Sequence, residues 1–217
     1  MYSAQTIVRR RGSILIAVLT SITCFLCQAN AGNIPVSLAG GNNFQGNMFD
    51  VVTFGKSLNV TGFDINVGRQ NSVLSISVYY RLGSFTGHES DPSAWILAGT
   101  AKTVSQGIGN RTFVDVPDFV LTHDSLHGIY VTIESAAFGH NQFQFRTGSN
   151  AFSNADLQTN AGVGLGSLHG LSKRNRSWNG AMYYELAVTP APVPSGVMLA
   201  GIGFVCLAGF TSFKRKR

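Results

Sequence analysis

Along residues 72–82 the chain alternates by side. Val73, Ser75, Ser77 and Tyr79 fall on one face; Leu74, Ile76, Val78 and Tyr80 fall on the other. A period of two is that of an extended strand with one face toward a core. Residues 60–67 repeat the pattern, with Phe63, Ile65 and Val67 directed inward against Val60, Gly62, Asp64 and Asn66. The same reading predicts further strands at 48–54, 95–104, 112–121, 128–135, 142–147 and 182–188. Gly, Asn, Ser and Asp punctuate these runs about every 10 residues. Eight or so short strands without a convincing soluble helix predict an all-β fold, an antiparallel β-sandwich of two packed sheets. A jelly-roll-like order is the topology expected. Pro117 inside the 112–121 run cannot donate to a ladder, so that strand is expected at an edge or bulged there.

Two other apolar stretches do not alternate. Residues 14–26 follow Arg9-Arg10-Arg11 and end at Ala29-Asn30-Ala31. A basic start, a short apolar run and an A-x-A site make a secretory signal peptide, with cleavage expected after Ala31. An uncleaved anchor is the alternative. Thr23 and Leu26 precede Cys24 and Cys27, where lipoprotein processing wants a small residue. Gly12-Ser13 after the arginines departs from a twin-arginine context. The second stretch, 196–213, carries no charged residue and ends in Lys214-Arg215-Lys216-Arg217. A core helix needs a polar face; here only Thr211 and Ser212 are polar, near the end. About 18 apolar residues with a basic cluster behind them predict one membrane-spanning helix whose C-terminus stays cytoplasmic. The expected organisation is 1–31 signal peptide, 32–189 extracytoplasmic domain and 190–217 tail.

That division changes how the charge is read. The chain is formally +6, from sixteen Lys and Arg against ten Asp and Glu. Arg9 to Arg11 and Lys214 to Arg217 are topogenic. Without them nine basic residues face ten acidic ones, so the domain is near −1 and lacks the basic footprint of a nucleic-acid binder. Of three cysteines, Cys24 and Cys27 fall in the leader and Cys206 in the tail. The exported domain therefore holds no disulfide, although its compartment would permit one.

The tail resembles the PEP-CTERM sorting signal of Gram-negative bacteria. The residues that carry the resemblance are Pro192-Val193-Pro194, Ser195-Gly196, a span bearing Leu199, Gly201, Gly203, Leu207 and Gly209, and the basic end. The family's central Glu is Val193 here, as in its Val-x-Pro variants. The resemblance implies recognition by an exosortase-type protease after passage through the Sec translocon and signal peptidase. It also implies delivery from the inner membrane to the cell envelope or matrix, a system tied to exopolysaccharide and biofilm. Met48-Phe49-Asp50, Phe63-Asp64-Ile65, Val78-Tyr79-Tyr80-Arg81, Gly83-Ser84-Phe85, Ser153-Asn154-Ala155-Asp156-Leu157 and Trp178-Asn179-Gly180 are similar, in order, to a module of exported bacterial proteins with such tails. It hands over no catalytic residue.

Several groupings invite chemistry. Glu89 and Asp91 offer oxygens to Ca2+, and Asp50 or Asp156 from distant loops can complete such a set; the plainer reading is a solvated turn begun by Asp91-Pro92. Tyr80, Trp95 and Trp178 with Asp91 form a candidate ligand set. Exposed rings bury the C–H face of a sugar while neighbouring polar groups take its hydroxyls. The alternative is that these rings, with Tyr79, Tyr183 and Tyr184, are core. His123-Asp124-Ser125 has the residue types of a hydrolase triad, but adjacent residues on an extended chain diverge, so a turn is expected. His88, His123, His127, His140 and His169 match no zinc-helix spacing. Gly162-Val163-Gly164-Leu165-Gly166 reads as a flexible connection. Lys173-Arg174-Asn175-Arg176 reads as a solvated loop, or as a patch touching acidic polysaccharide. The Asn-x-Ser/Thr triplets at Asn59, Asn110 and Asn175 are incidental in a bacterial setting.

The expectation is a non-enzymatic structural or glycan-binding module of the envelope. A carbohydrate-active hydrolase using Asp50, Glu89 and Asp156, or a permanent single-span membrane protein, are the competing classes. Intact mass of the mature protein, by cell fraction, separates them in part. A sorted protein lacks residues 1–31 and the tail and sits in the outer fraction; a permanent anchor keeps Lys214 to Arg217 in the inner membrane.

Overall fold

The computed structural model describes residues 32–35, 38, 40–134, 143–148, 151–170 and 172–187. The signal peptide expected at 1–31, the tail expected at 190–217 and its membrane-spanning helix all fall outside the described residues. The strands are β1 (Gly32–Pro35), β2 (Asn42–Phe44), β3 (Gly46–Thr53), β4 (Leu58–Ile65) and β5 (Gln70–Leu82). They continue with β6 (Ile96–Gln106), β7 (Thr112–Val114), β8 (Phe119–Leu121), β9 (Leu126–Ile133) and β10 (Phe143–Thr147). The last five are β11 (Phe152–Ser153), β12 (Leu157–Thr159), β13 (Gly162–Leu165), β14 (Ser172–Ser177) and β15 (Gly180–Leu186). One 3-10 turn, Pro92–Ala94, interrupts them. Among the described residues no helix is long and apolar enough to cross a membrane.

The strands pair antiparallel into two sheets. The smaller runs β1-β15-β4-β7, with β8 also on β4. The larger runs β2-β10-β14-β13-β3-β9-β5-β6, with β12 also on β3 and β11 on β12. Their inner faces share one core. The large sheet supplies Phe49, Val51, Leu74, Ile76, Val78, Ile129 and Val131; the small one supplies Leu58, Val60, Phe63, Ile65, Met182 and Tyr184. Trp178 fills the middle, stacked on Phe49 at 5.1 Å and edge-on to Phe63 at 6.1 Å.

The alternation on β5 is realised as expected, with Leu74, Ile76 and Val78 in the core. On β4 a register shift between Tyr183 and Tyr184 of its partner turns Val60 inward along with Phe63 and Ile65. Strict alternation placed Val60 outside; a bulge reverses the faces on one side of it. The 112–121 run is split into β7 and β8. Pro117 lies in the break, at the edge of the small sheet, where its ring packs so close to Gly99 that a Cβ there would collide with it.

The Gly-rich string at 162–166 was expected to be a flexible connection; it forms β13, buried along its length. Its glycines are required by proximity. A Cβ on Gly162 would strike the Met48 carbonyl, and one on Gly164 would lie 2.6 Å from the Phe44 ring. The basic run expected as a loop is in β14, between β13 and β10, with the Arg176 guanidinium 5.3 Å from the Phe44 ring centroid.

Both faces of the large sheet are covered at its centre. A second cluster lies on its outer face: Met48, Tyr130, Val163 and Leu165 from the strands, Phe85 and Trp95 from the segment joining β5 to β6.

His127, the second residue of β9, lies on the inner face, 3% exposed, with Nε2 3.2 Å from the Thr122 carbonyl oxygen. Burial holds its pKa below the usual range, opposed by the backbone carbonyls of Thr122 and Arg81, which accept from the ring. The unfolded chain thus binds this proton more readily, so the stabilising difference exists above the ordinary pKa of about 6.5 and is lost as pH falls through it. The expected outcome is a fall in Tm from pH 7.5 to pH 5 that is smaller in His127→Gln than in the parent, read by circular dichroism.

Candidate functional site

The outer face of the large sheet is ordered by three rungs. One runs Val163–Met48–Tyr130–Tyr79–Leu97, the next Leu165–Gly46–Thr132–Ser77–Thr100, and a third Asp50–Gly128–Arg81. Cross-strand neighbours on one face stand about 5 Å apart, close enough for their side chains to interact.

The third rung is a fastening. The Asp50 carboxylate accepts from the Ser84 hydroxyl at 2.7 Å and the Phe85 amide at 2.9 Å. Burial pushes the Asp50 pKa up, opposed by these hydrogen bonds and by the Arg81 charge. Gly128 leaves the space for this approach, since a Cβ would lie 2.9 Å from the Phe85 nitrogen. The segment so held lays Phe85 and Trp95 over the first rung. Trp95 is 8% exposed and donates from Nε1 to the His88 carbonyl at 2.9 Å. Asp91 caps the 3-10 turn, accepting from the Ser93 amide at 3.1 Å and hydroxyl at 2.6 Å, and these bonds hold its pKa down. The turn begun by Asp91-Pro92 is thus one part of a segment that packs onto the sheet, rather than a wholly solvated loop.

Beyond this cover the face is polar and partly open. The Tyr79 ring, partly exposed, stacks on buried Tyr130 at 5.6 Å. His169 meets both rings edge-on, at 5.9 and 5.2 Å, from a backbone with φ of 50°. On the second rung, Ser77 donates to Glu134 Oε1 at 2.5 Å and lies 2.6 Å from Thr100 Oγ1. Ser77 has one proton, so Thr100 is the donor in the second bond. Glu134 is exposed and stands beside the Tyr79 hydroxyl. Burial and the Glu134 charge raise the Tyr79 pKa, and burial raises that of Tyr130. Both phenols are therefore neutral donors at neutral pH. Tyr130 Oη lies beside Thr132 and the His169 backbone, yet Tyr130 Oη, Thr132 Oγ1 and His169 Nδ1 close no full hydrogen bond among the described residues. A ring face, a fixed carboxylate and hydroxyls within two rungs suit a polyhydroxylated ligand.

The ligand set proposed from sequence is dispersed. Tyr80 stacks on Phe119 at 4.8 Å on the inner face, Trp178 is in the central core at 4% exposure, and Trp95 and Asp91 belong to the covering segment. These rings pack inward instead of forming one displayed surface. Two other carboxylates have partners of their own. Asp64, on the outer face of the small sheet, takes Arg111 at 3.1 Å and the Tyr183 hydroxyl at 2.6 Å. Asp156 accepts from Tyr184 at 3.1 Å. His123, Asp124 and Ser125 form a turn in which the Ser125 hydroxyl donates to the His123 carbonyl at 2.8 Å. Among the described residues no group of three or more His, Cys, Asp or Glu is placed to hold a metal ion.

Glu134, Ser77, Thr132 and His169 were absent from the sequence-derived set. The alternation had placed Ser77 and Tyr79 on the face away from the core, which was the available signal. Comparison with protein-family models gave no match, and comparison with curated proteins gave none.

Proposed function

We propose that the chain is an exported envelope or extracellular-matrix protein whose sandwich, jelly-roll-like in order, binds extracellular polysaccharide and does no chemistry on it. The leader ending at Ala31 is removed after Sec export. The apolar run 196–213 then holds the precursor in the inner membrane until an exosortase-type protease reads Pro192-Val193-Pro194. The observation that supports binding is the ledge of Tyr79, Ser77 and Glu134 on the outer face of the large sheet, where a partly exposed ring stands beside a carboxylate held by a serine. A pyranose laid on the Tyr79 ring buries its C–H face, and its hydroxyls donate to Glu134.

A second reading, a glycan hydrolase, draws on the raised pKa of Asp50, a property of general acids. It needs a second carboxylate within about 5–10 Å across a cleft.

Binding is measured by co-sedimentation of the mature protein with host exopolysaccharide. Tyr79→Ala and Glu134→Gln are each expected to weaken it about tenfold, some 1.4 kcal/mol, with Glu134→Gln leaving Tm near that of the parent. Unchanged binding in both variants removes the ledge from the account. Release of reducing ends that Asp50→Asn abolishes would replace this reading with the hydrolase.

A further inference from the structure

The two ends of the described sandwich lie side by side. β1 pairs antiparallel with β15, Gly32 opposite Tyr184 and Pro35 opposite Ala181. The chain preceding Gly32 and the chain following Ala187 therefore belong to the same end of the small sheet. That end is tied down across both sheets. The Ala187 amide donates to the Ser57 carbonyl at 2.9 Å, the His123 amide to the Ser57 hydroxyl at 3.1 Å, and the Gly55 amide to Asp124 Oδ1 at 2.7 Å. The Thr53 hydroxyl donates to the Thr122 carbonyl at 2.5 Å. The point where the chain leaves is thus fixed to the loop at 54–57 and the turn at 122–125.

We propose that this end, with Lys56 and His123 at its surface, faces the lipid bilayer, and that the opposite end, with the turn at 107–110 and the ledge at Glu134, points away. The inference rests on the membrane-tail reading given above. Eight residues, 188–195, separate Ala187 from the apolar run. Extended, they reach about 25–30 Å. The eight-residue strand β4 is itself about 25 Å long. To bring the far end to the bilayer the linker would have to run back along the whole sandwich with no length left over. Pro190, Pro192 and Pro194 fix φ and keep such a linker extended, which favours leading away from the sandwich over doubling back. The orientation is the same whether or not the leader is removed, because an uncleaved leader leaves from the same end.

The test uses the full-length chain with Cys24, Cys27 and Cys206 changed to Ala, in vesicles of phosphatidylethanolamine and phosphatidylglycerol. Lys56→Cys and Ile108→Cys, both exposed positions at opposite ends, each carry one fluorophore. Headgroup-attached nitroxide lipids supply the quencher. The label at position 56 is expected to be quenched at least about twofold more than the one at 108, given roughly 25 Å between the ends. Equal quenching, or stronger quenching at 108, in protein that floats with the vesicles overturns the orientation alone. Protein that does not float with vesicles overturns the membrane-tail reading, and this inference with it.

Discussion

Met48 and Phe49 are neighbours on β3, both fully buried, and they point to opposite sides of the sheet. The central strands of the large sheet must keep water from two faces, and the rest of the structure answers to that. The small sheet covers one face. Among the described residues no second sheet covers the other, and the segment between β5 and β6 does so, with Phe85 and Trp95 as its apolar contacts. That segment stays down because a buried carboxylate, Asp50, receives its hydrogen bonds, and because Gly128 has no side chain in the way. Losing Asp50 would leave the Phe85 amide without its partner in a partly buried place, at a cost of about 1–3 kcal/mol.

Polar groups inside the fold are mostly tied across long sequence separations. Asn47 donates from Nδ2 to the Val163 carbonyl at 2.8 Å, and Gln45 from Nε2 to the Ile133 carbonyl at 2.7 Å. Asp64 gathers Arg111 and Tyr183. With no cysteine between residues 28 and 205, such ties and the shared core fix the register that disulfides fix in cysteine-rich domains.

The half of the fold that obeys one-sided alternation was legible. β5 could be placed and faced from Val73 to Tyr80, because each residue has a single environment there. β13 could not. Its glycines signal looseness in isolation, but they are small because Met48 and Phe44 press against them, a contact between positions more than a hundred residues apart. The bulge on β4 was invisible for a similar reason, since no local residue announces it. The site suffered most. Tryptophans drew attention by size and were spent on the core, whereas the ledge is made of a tyrosine, a serine and a glutamate that become neighbours only through the pairing of β5 with β9.

The large sheet is also asymmetric from centre to edge. On β6 the outward residues Leu97, Thr100, Lys102 and Val104 are exposed, while β3 and β9 are sealed. Substitutions at such exposed positions are usually worth no more than about 0.5 kcal/mol either way. Mutational drift can therefore rewrite these outward positions of β6 with little effect on folding. A lineage of such chains would diverge fastest along one edge strand beside the ledge, with its centre held constant, and would explore new surface chemistry without first having to gain stability.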